Sequence, residues 1–323
     1  MSSPILVFFR KEVDDVRRSR LILLLVAGLG LIVVVSVVVS TAAFHLKVLD
    51  YQNYVAAMAK AGQAGNVNPP QLFPLQLLRG ALEYLEIVGS IVAIVIGYGL
   101  AAKEKNRGTL RLLFSRPVRN SSIAIGKLLA VAVLWLAVIA ALGLIMVGTI
   151  LLVGGTSLSG LELVKLAITL CLTWVYLVTW SAFSYWLTGR TSRLSTALVI
   201  GLILWLGFVL VVPQIGDTMD PDNQVPGGLF RSLQVDKPHE MAVMAHFSGY
   251  ETTRNFLEET SLSKHFERAA FAYLGAKDKY NQQSLGFIGK DMWTNIAWLM
   301  GSLGAAVVLA VTQSTKRNLF RKA

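Results

Sequence analysis

Two carboxylates one helical turn apart, Glu83 and Glu86, stand where a mixed stretch gives way to the apolar run IVGSIVAIVIGYGLAA. Carboxylates at a membrane boundary can line a substrate or proton path; more commonly they sit at headgroup level with no specific task. Three of the four histidines, His239, His246 and His265, share one polar segment. Their separations fit no ligand motif such as HExxH, so each is expected to be exposed or satisfied by ordinary hydrogen bonds, with no metal bound. Cys171, alone in an apolar run, allows neither an intrachain disulfide nor a cysteine cluster. No GxxxxGKS/T phosphate loop occurs: Gly126-Lys127 is followed by leucines, and Gly275-Ala276-Lys277 lacks the upstream glycine and the following hydroxyl. A GxSxG elbow, a dinucleotide glycine fingerprint and carboxylates in mid-span are missing too. The chain is therefore expected to be non-catalytic, with no catalytic residue, metal or cofactor of its own. The scarcity of mid-span charge also argues against ion-driven transport, which needs titratable groups near the midplane.

The remaining unusual chemistry lies in the stretch from Lys103 to Lys127. Seven basic residues (Lys103, Lys105, Arg107, Arg111, Arg116, Arg119, Lys127) face one acid, Glu104, between two long apolar runs. So short and basic a segment is expected on the cytoplasmic side. Gly108-Thr109 can start a helix, Leu110, Leu113 and Phe114 fall at helical spacing, and Pro117 ends it. That pattern is a short amphipathic helix offered to a partner, or a basic loop that holds topology and contacts anionic lipid.

The elements around it follow from hydropathy. A chain with 54% hydrophobic and 15% charged residues is a polytopic membrane protein, and a net charge of +11 segregated by side of the membrane does not describe a nucleic-acid binder. Pro4 to Arg20 places Leu6, Phe9, Val13 and Val16 on one face and predicts an interfacial helix. Spans are expected at about 21–43, 83–102, 123–153, 161–187, 194–212 and 291–311, each near the roughly 20 residues a bilayer core requires. The first is too long, and starts too far in, for a cleaved signal peptide. An external loop is expected over Phe44–Leu82, an N-cap at Asn120-Ser121-Ser122, and a chain break at Pro213. Trp174, Trp180 and Trp186 are expected in core or interface roles. Residues 214–289 form a polar external segment, turn-rich at first and helical over His239–Gln283, that predicts a small helical cap. The organisation is thus 1–213, interfacial helix and five spans; 214–289, external segment; 290–323, last span and basic tail. Basic residues outnumber acids eighteen to four over the expected inside segments, so both termini are expected in the cytoplasm of a multi-pass cell-membrane protein.

Glu104-Lys105-Asn106-Arg107-Gly108-Thr109-Leu110, Leu112-Leu113, Arg116-Pro117-Val118-Arg119 and Gly126-Lys127-Leu128 together resemble the signature of type-2 ATP-binding-cassette (ABC) permeases, in their NosY-like branch. The resemblance extends through the placement of the motif between spans two and three, the N-terminal helix and the six-span topology. It implies an all-α exporter permease with a second permease copy, identical or not, and two separately encoded ATPase subunits that bind the ATP and Mg. In that setting the basic stretch is the cytoplasmic coupling helix: Leu110, Leu113 and Phe114 would fill an apolar groove of the ATPase, while Glu104, Arg107, Arg116 and Arg119 would orient it, with Gly108, Thr109 and Pro117 shaping the turn. The segment 214–289 is longer than in a minimal member, which leaves the cargo open. The alternative is a membrane scaffold whose external cap recruits or matures an extracytoplasmic protein.

Overall fold

The computed structural model describes residues 4–18, 20–60, 70–107, 120–219, 229–233, 235–246 and 248–313. The described residues are all helix and connecting turns, with no strand among them. Six of the helical stretches are long and apolar enough to cross a membrane: Leu23–Lys60, Pro74–Lys103, Ser121–Leu152, Gly160–Arg190, Leu194–Gly216 and Trp293–Gln313.

Helix α1 (Pro4–Arg18) is followed by a sharp turn through Arg20, whose backbone is left-handed at φ 53°, into α2 (Leu21–Lys60). The expected loop from Phe44 begins only past Lys60. The reason lies in composition: residues 44–60 contain neither Gly nor Pro, and the breakers Gly62, Gly65, Pro69 and Pro70 all come later. At 1.5 Å per residue the 40 residues of α2 reach about 60 Å, twice a bilayer core.

The second crossing starts at Pro74, not at residue 83. Pro74 opens a 3-10 turn, where a missing N–H costs nothing, and so initiates a helix inside the stretch expected to be an external loop. The chain then runs through α3 (Arg79–Tyr84), a π-helical turn at Leu85–Gly89 and α4 (Ser90–Arg107). Helix α5 (Asn120–Leu152) begins at the expected cap, and α6 (Gly160–Arg190) starts with a capping box: Ser159 accepts from the Glu162 backbone while Glu162 reaches back.

The fifth crossing does not stop at Pro213. Helix α7 (Leu194–Trp205) passes into a second π-helical turn (Leu206–Val211) and then α8 (Val212–Met219). In that turn the Val212 N–H bonds the Gly207 carbonyl, so the next donor in register would be residue 213 to Phe208. Proline has no N–H to give, and the Ser261 hydroxyl donates to the Phe208 carbonyl instead, at 2.5 Å.

Beyond it lie α9 (Leu229–Ser232), α10 (Lys237–His246), α11 (Ser248–Glu259) and α12 (Leu262–Tyr273), in keeping with the helical expectation for 239–283. The turn-rich opening at 220–228 is outside the described residues. Helix α12 departs from an outlying cap: Phe266, Ala269 and Ala270 are wholly buried against α6 and α14 (Trp293–Gln313), and Phe266 stacks on Tyr176 with ring centroids 4.6 Å apart. The small buried residues Ser263, Ala269, Ala270 and Ala272 let α12 enter the bundle. A short α13 (Leu285–Asp291) leads into α14.

The core centres on α6, which packs on α4, α5, α12 and α14. At Gly97 of α4 the two backbones nearly touch, because an added Cβ would collide with the Ser181 carbonyl. Ser181 donates to the Ala93 carbonyl (3.1 Å) and accepts from Trp135 Nε1 of α5 (3.0 Å), and Ser184 donates to the Ile94 carbonyl (2.7 Å). Small residues with hydroxyls thus replace bulk as the glue between the helices.

Candidate functional site

Of the expected coupling residues, Gly108, Thr109, Leu110, Leu113, Phe114, Arg116, Pro117 and Arg119 lie outside the described residues, while Glu104 and Arg107 are placed by their backbone on the last turns of α4. What the structure describes is the frame that presents this segment, built from α4 on one side and α5 on the other.

Lys105 extends from α4 to the end of α6, where its ammonium donates to the carbonyls of Thr188 (2.8 Å) and Thr191 (2.8 Å), with Gly189 at 3.4 Å. Terminal carbonyls lack intrahelical donors and carry the negative end of the helix dipole, so a lysine there both caps and anchors. Half-burial pulls the Lys105 pKa below the ordinary lysine value. Two residues earlier, Lys103 approaches Asp15 of α1 at 3.9 Å; both are largely exposed, so the pair adds little.

On the α5 side, Lys127 is completely buried. Its ammonium donates to the Leu100 carbonyl of α4, faces Glu12 Oε1 of α1 at 3.8 Å, and lies 5.8 Å from the centroid of the Tyr185 ring of α6. Four helices therefore converge on one cation. Gly126 makes room for this: a Cβ there would stand 2.8 Å from both the Ile5 carbonyl and Phe8 Cβ, so α1 lies directly on the first turns of α5. Phe8 and Glu12, four residues apart, form the buried stripe of α1, whereas Leu6 is exposed. Of the expected apolar face of Leu6, Phe9, Val13 and Val16, the last three are half-buried beside the Phe8–Glu12 stripe, and Val16 packs on the core.

Glu83 and Glu86 do not form one site. Glu83 pairs with Arg79 at 3.0 Å on a half-exposed surface. Glu86 is buried and faces Ser263, Lys264 and Glu267 of α12. The π-helical turn frees the Glu86 carbonyl to accept from the Ser90 hydroxyl and from Tyr176 (3.3 Å), and Trp205 Nε1 donates to Ser90 Oγ at 2.7 Å. The two π-helical turns are thereby tied together and each bonds the start of α12. The histidines are scattered as well: His239 meets Asp236 at the surface, His246 is exposed, and His265 is buried with Asn295 Oδ1 at 2.9 Å, the Glu259 carbonyl at 3.0 Å, and Trp298 stacked on its ring. Among the described residues no cluster of three metal-ligating side chains occurs.

The profile of the family described as ABC-2 family transporter protein matches residues 6–320. The chain belongs to that family. Among curated proteins, the ABC-2 chain is similar to the "Probable ABC transporter permease protein NosY" of Stutzerimonas stutzeri, at 33% identity over 126 residues. The match covers 38% of this chain and 44% of that protein, so it spans less than half of the relative's length.

In this ABC-2 protein the residues that sequence reasoning missed are Glu12 and the structural use of Lys105 and Lys127. Both lysines had been counted as loop charge. The signal for Lys127 was present in Gly126-Lys127, a glycine and a cation at the first turns of an apolar helix. The signal for Glu12 was its i, i+4 relation to Phe8, obscured by the acidic and basic residues around it.

Proposed function

We propose that this chain is the permease subunit of an ABC exporter, coupling ATP hydrolysis by two copies of a separate ATPase to movement of a substrate across or out of the membrane, in a complex with a second permease copy. The observation that supports this best is the frame around residues 108–119. A basic, apolar-studded segment joins α4 to α5; on its near side the half-buried Lys105 ties α4 to α6, and on its far side the buried Lys127 ties α5 to α4 and α1. A displacement applied there would be carried by rigid helices, since each lysine contact would have to break before the loop could move independently. The nucleotide and Mg belong to the partner.

Leu110, Leu113 and Phe114 supply the apolar part of the proposed contact and Glu104, Arg107, Arg116 and Arg119 its orientation. Glu83 and Glu86, which could have lined a substrate path, carry no such role in this reading, because one is tied at the surface and the other faces α12. A hydrophobic or amphipathic cargo fits the cavity of about 300 Å³ between α6, π-helical turn 206–211 and α14, whose walls include Trp180, Phe183, Phe208 and Leu309 with Thr179, Thr260 and Ser302 as the polar points.

The test is substitution of the proposed contact. Glu104→Ala and Phe114→Ala are expected to lower coupled transport or recovery of the ATPase with this chain, at unchanged membrane insertion. Normal transport and normal co-purification by both variants would refute the assignment.

A further inference from the structure

At the end of the bundle opposite the 108–119 segment, a second pocket of about 270 Å³ opens between the start of α6, the approach to the second crossing and the end of α12. Its walls are unlike the apolar cavity: Phe73 and Leu161 stand beside Ser159, Glu162, Asn281 and Gln282. Lys165 enters it from α6. This side chain is only 5% exposed, and among the described residues its ammonium has no hydrogen bond or ion pair.

A cation that lines a pocket without a contacting partner calls for a counter-charge, and the nearest in sequence is the carboxylate one turn earlier. Glu162, however, is already engaged. Its Oε2 accepts from the Ser159 N–H (2.7 Å) and from the Ser159 hydroxyl (2.7 Å), closing the capping box, and it influences Lys165 only through space. The pocket thus combines the Lys165 charge and two side-chain amides able to donate at the N-terminal end of a 31-residue helix, whose dipole the Glu162 carboxylate, tied back to Ser159, partly offsets.

We infer that this pocket is an anion site for a phosphate group, with Lys165 as its charge and Asn281 and Gln282 as flanking donors. The position at a helix end of the membrane bundle, with Phe73 and Leu161 beside the polar groups, admits the phosphodiester of a lipid headgroup; the same donors would hold a free phosphate.

The decisive experiment is amine acetylation of the intact protein followed by mass spectrometry. In micelles containing phosphatidylglycerol, labelling of Lys165 is expected to slow about tenfold relative to micelles doped with diacylglycerol, while the exposed Lys60 is unchanged, as fits loss of one charge-assisted hydrogen bond on opening. Protection by inorganic phosphate but not by phosphatidylglycerol would assign the site to a soluble phosphate. In native mass spectrometry Lys165→Gln is expected to lose about tenfold of the retained phosphatidylglycerol, and Lys165→Arg to keep it. If neither probe slows acetylation of Lys165 in the wild-type chain, no phosphate site exists there, whatever the variants do.

Discussion

Lys127 shows how one side chain can join four helices. Its charge is out of water, so its value depends on keeping the Leu100 carbonyl, Glu12 and the Tyr185 ring around it together. Removing one member of a buried pair leaves the other uncompensated, typically at about 3–5 kcal/mol. Lys127→Met is expected to destabilise the protein by that order in denaturant titrations in detergent, and adding Glu12→Leu should recover much of the loss. Had Lys127 been solvated loop charge, neither change would matter. A second residue-scale prediction concerns Asp291, which accepts from Lys279 Nζ at 2.8 Å and from Tyr280 at 2.5 Å. These bonds, led by that from Lys279, hold its pKa below the usual carboxylate value, and the same contact with Asp291 raises that of Lys279. A depressed acid stabilises above its unfolded pKa of about 3.9 and loses this as pH falls, while a raised lysine stabilises below about 10.4 and loses this as pH rises. The turn joining α12 to α13 should therefore resist limited proteolysis evenly from pH 5 to about pH 9 and become more susceptible below about pH 4 in the wild type, with Asp291→Asn susceptible throughout. At this scale the sequence disclosed the residue types well and their partners poorly. Glu12 reads as a solvated acid, because nothing local reveals that Gly126 admits α1 onto α5.

The helices were largely legible, since long apolar runs leave few alternatives in a bilayer, and each of the six crossings overlaps one of the expected apolar runs. Their ends were misread where proline was treated only as a breaker. Pro74 begins a helix, and Pro213 sits in one because a π-helical turn precedes it and Ser261 serves the carbonyl it leaves unmatched. Periodicity carries no trace of such a turn. Ser261→Ala is expected to cost about 1–3 kcal/mol, the usual result of leaving a buried acceptor unsatisfied, and to loosen α12 in hydrogen exchange before the rest of the chain. Gly97→Leu should be harsher, preventing close approach of α4 to α6 and lowering the yield of folded protein, whereas Gly28→Leu, where a Cβ meets nothing within 4 Å, should be tolerated. The insertion of α12 was the largest difference in architecture. Its alanines and Phe266 were visible as an apolar face, but a polar segment between two spans gives no indication of whether that face covers the bundle or enters it.

For the molecule as a whole, two ends with different chemistry emerge. One carries Lys105, Lys127 and Glu12 around the 108–119 segment; the other carries α12, Glu86 and the Lys165 pocket, with α6 running between them. A permease that takes its energy from another chain needs a stiff path of this kind, and the absence of a phosphate-loop motif in the sequence is what first pointed to a partner. The most direct measurement is the hydrolysis rate of the partner ATPase, reconstituted with the wild-type chain and with Phe114→Ala. The wild type is predicted to co-purify with the ATPase and stimulate it, and Phe114→Ala to weaken association by about 2 kcal/mol, roughly thirtyfold, as for an apolar anchor at an interface centre. An ATPase that neither binds the wild-type chain nor responds to it, or that binds and responds to Phe114→Ala as it does to the wild type, would contradict the account.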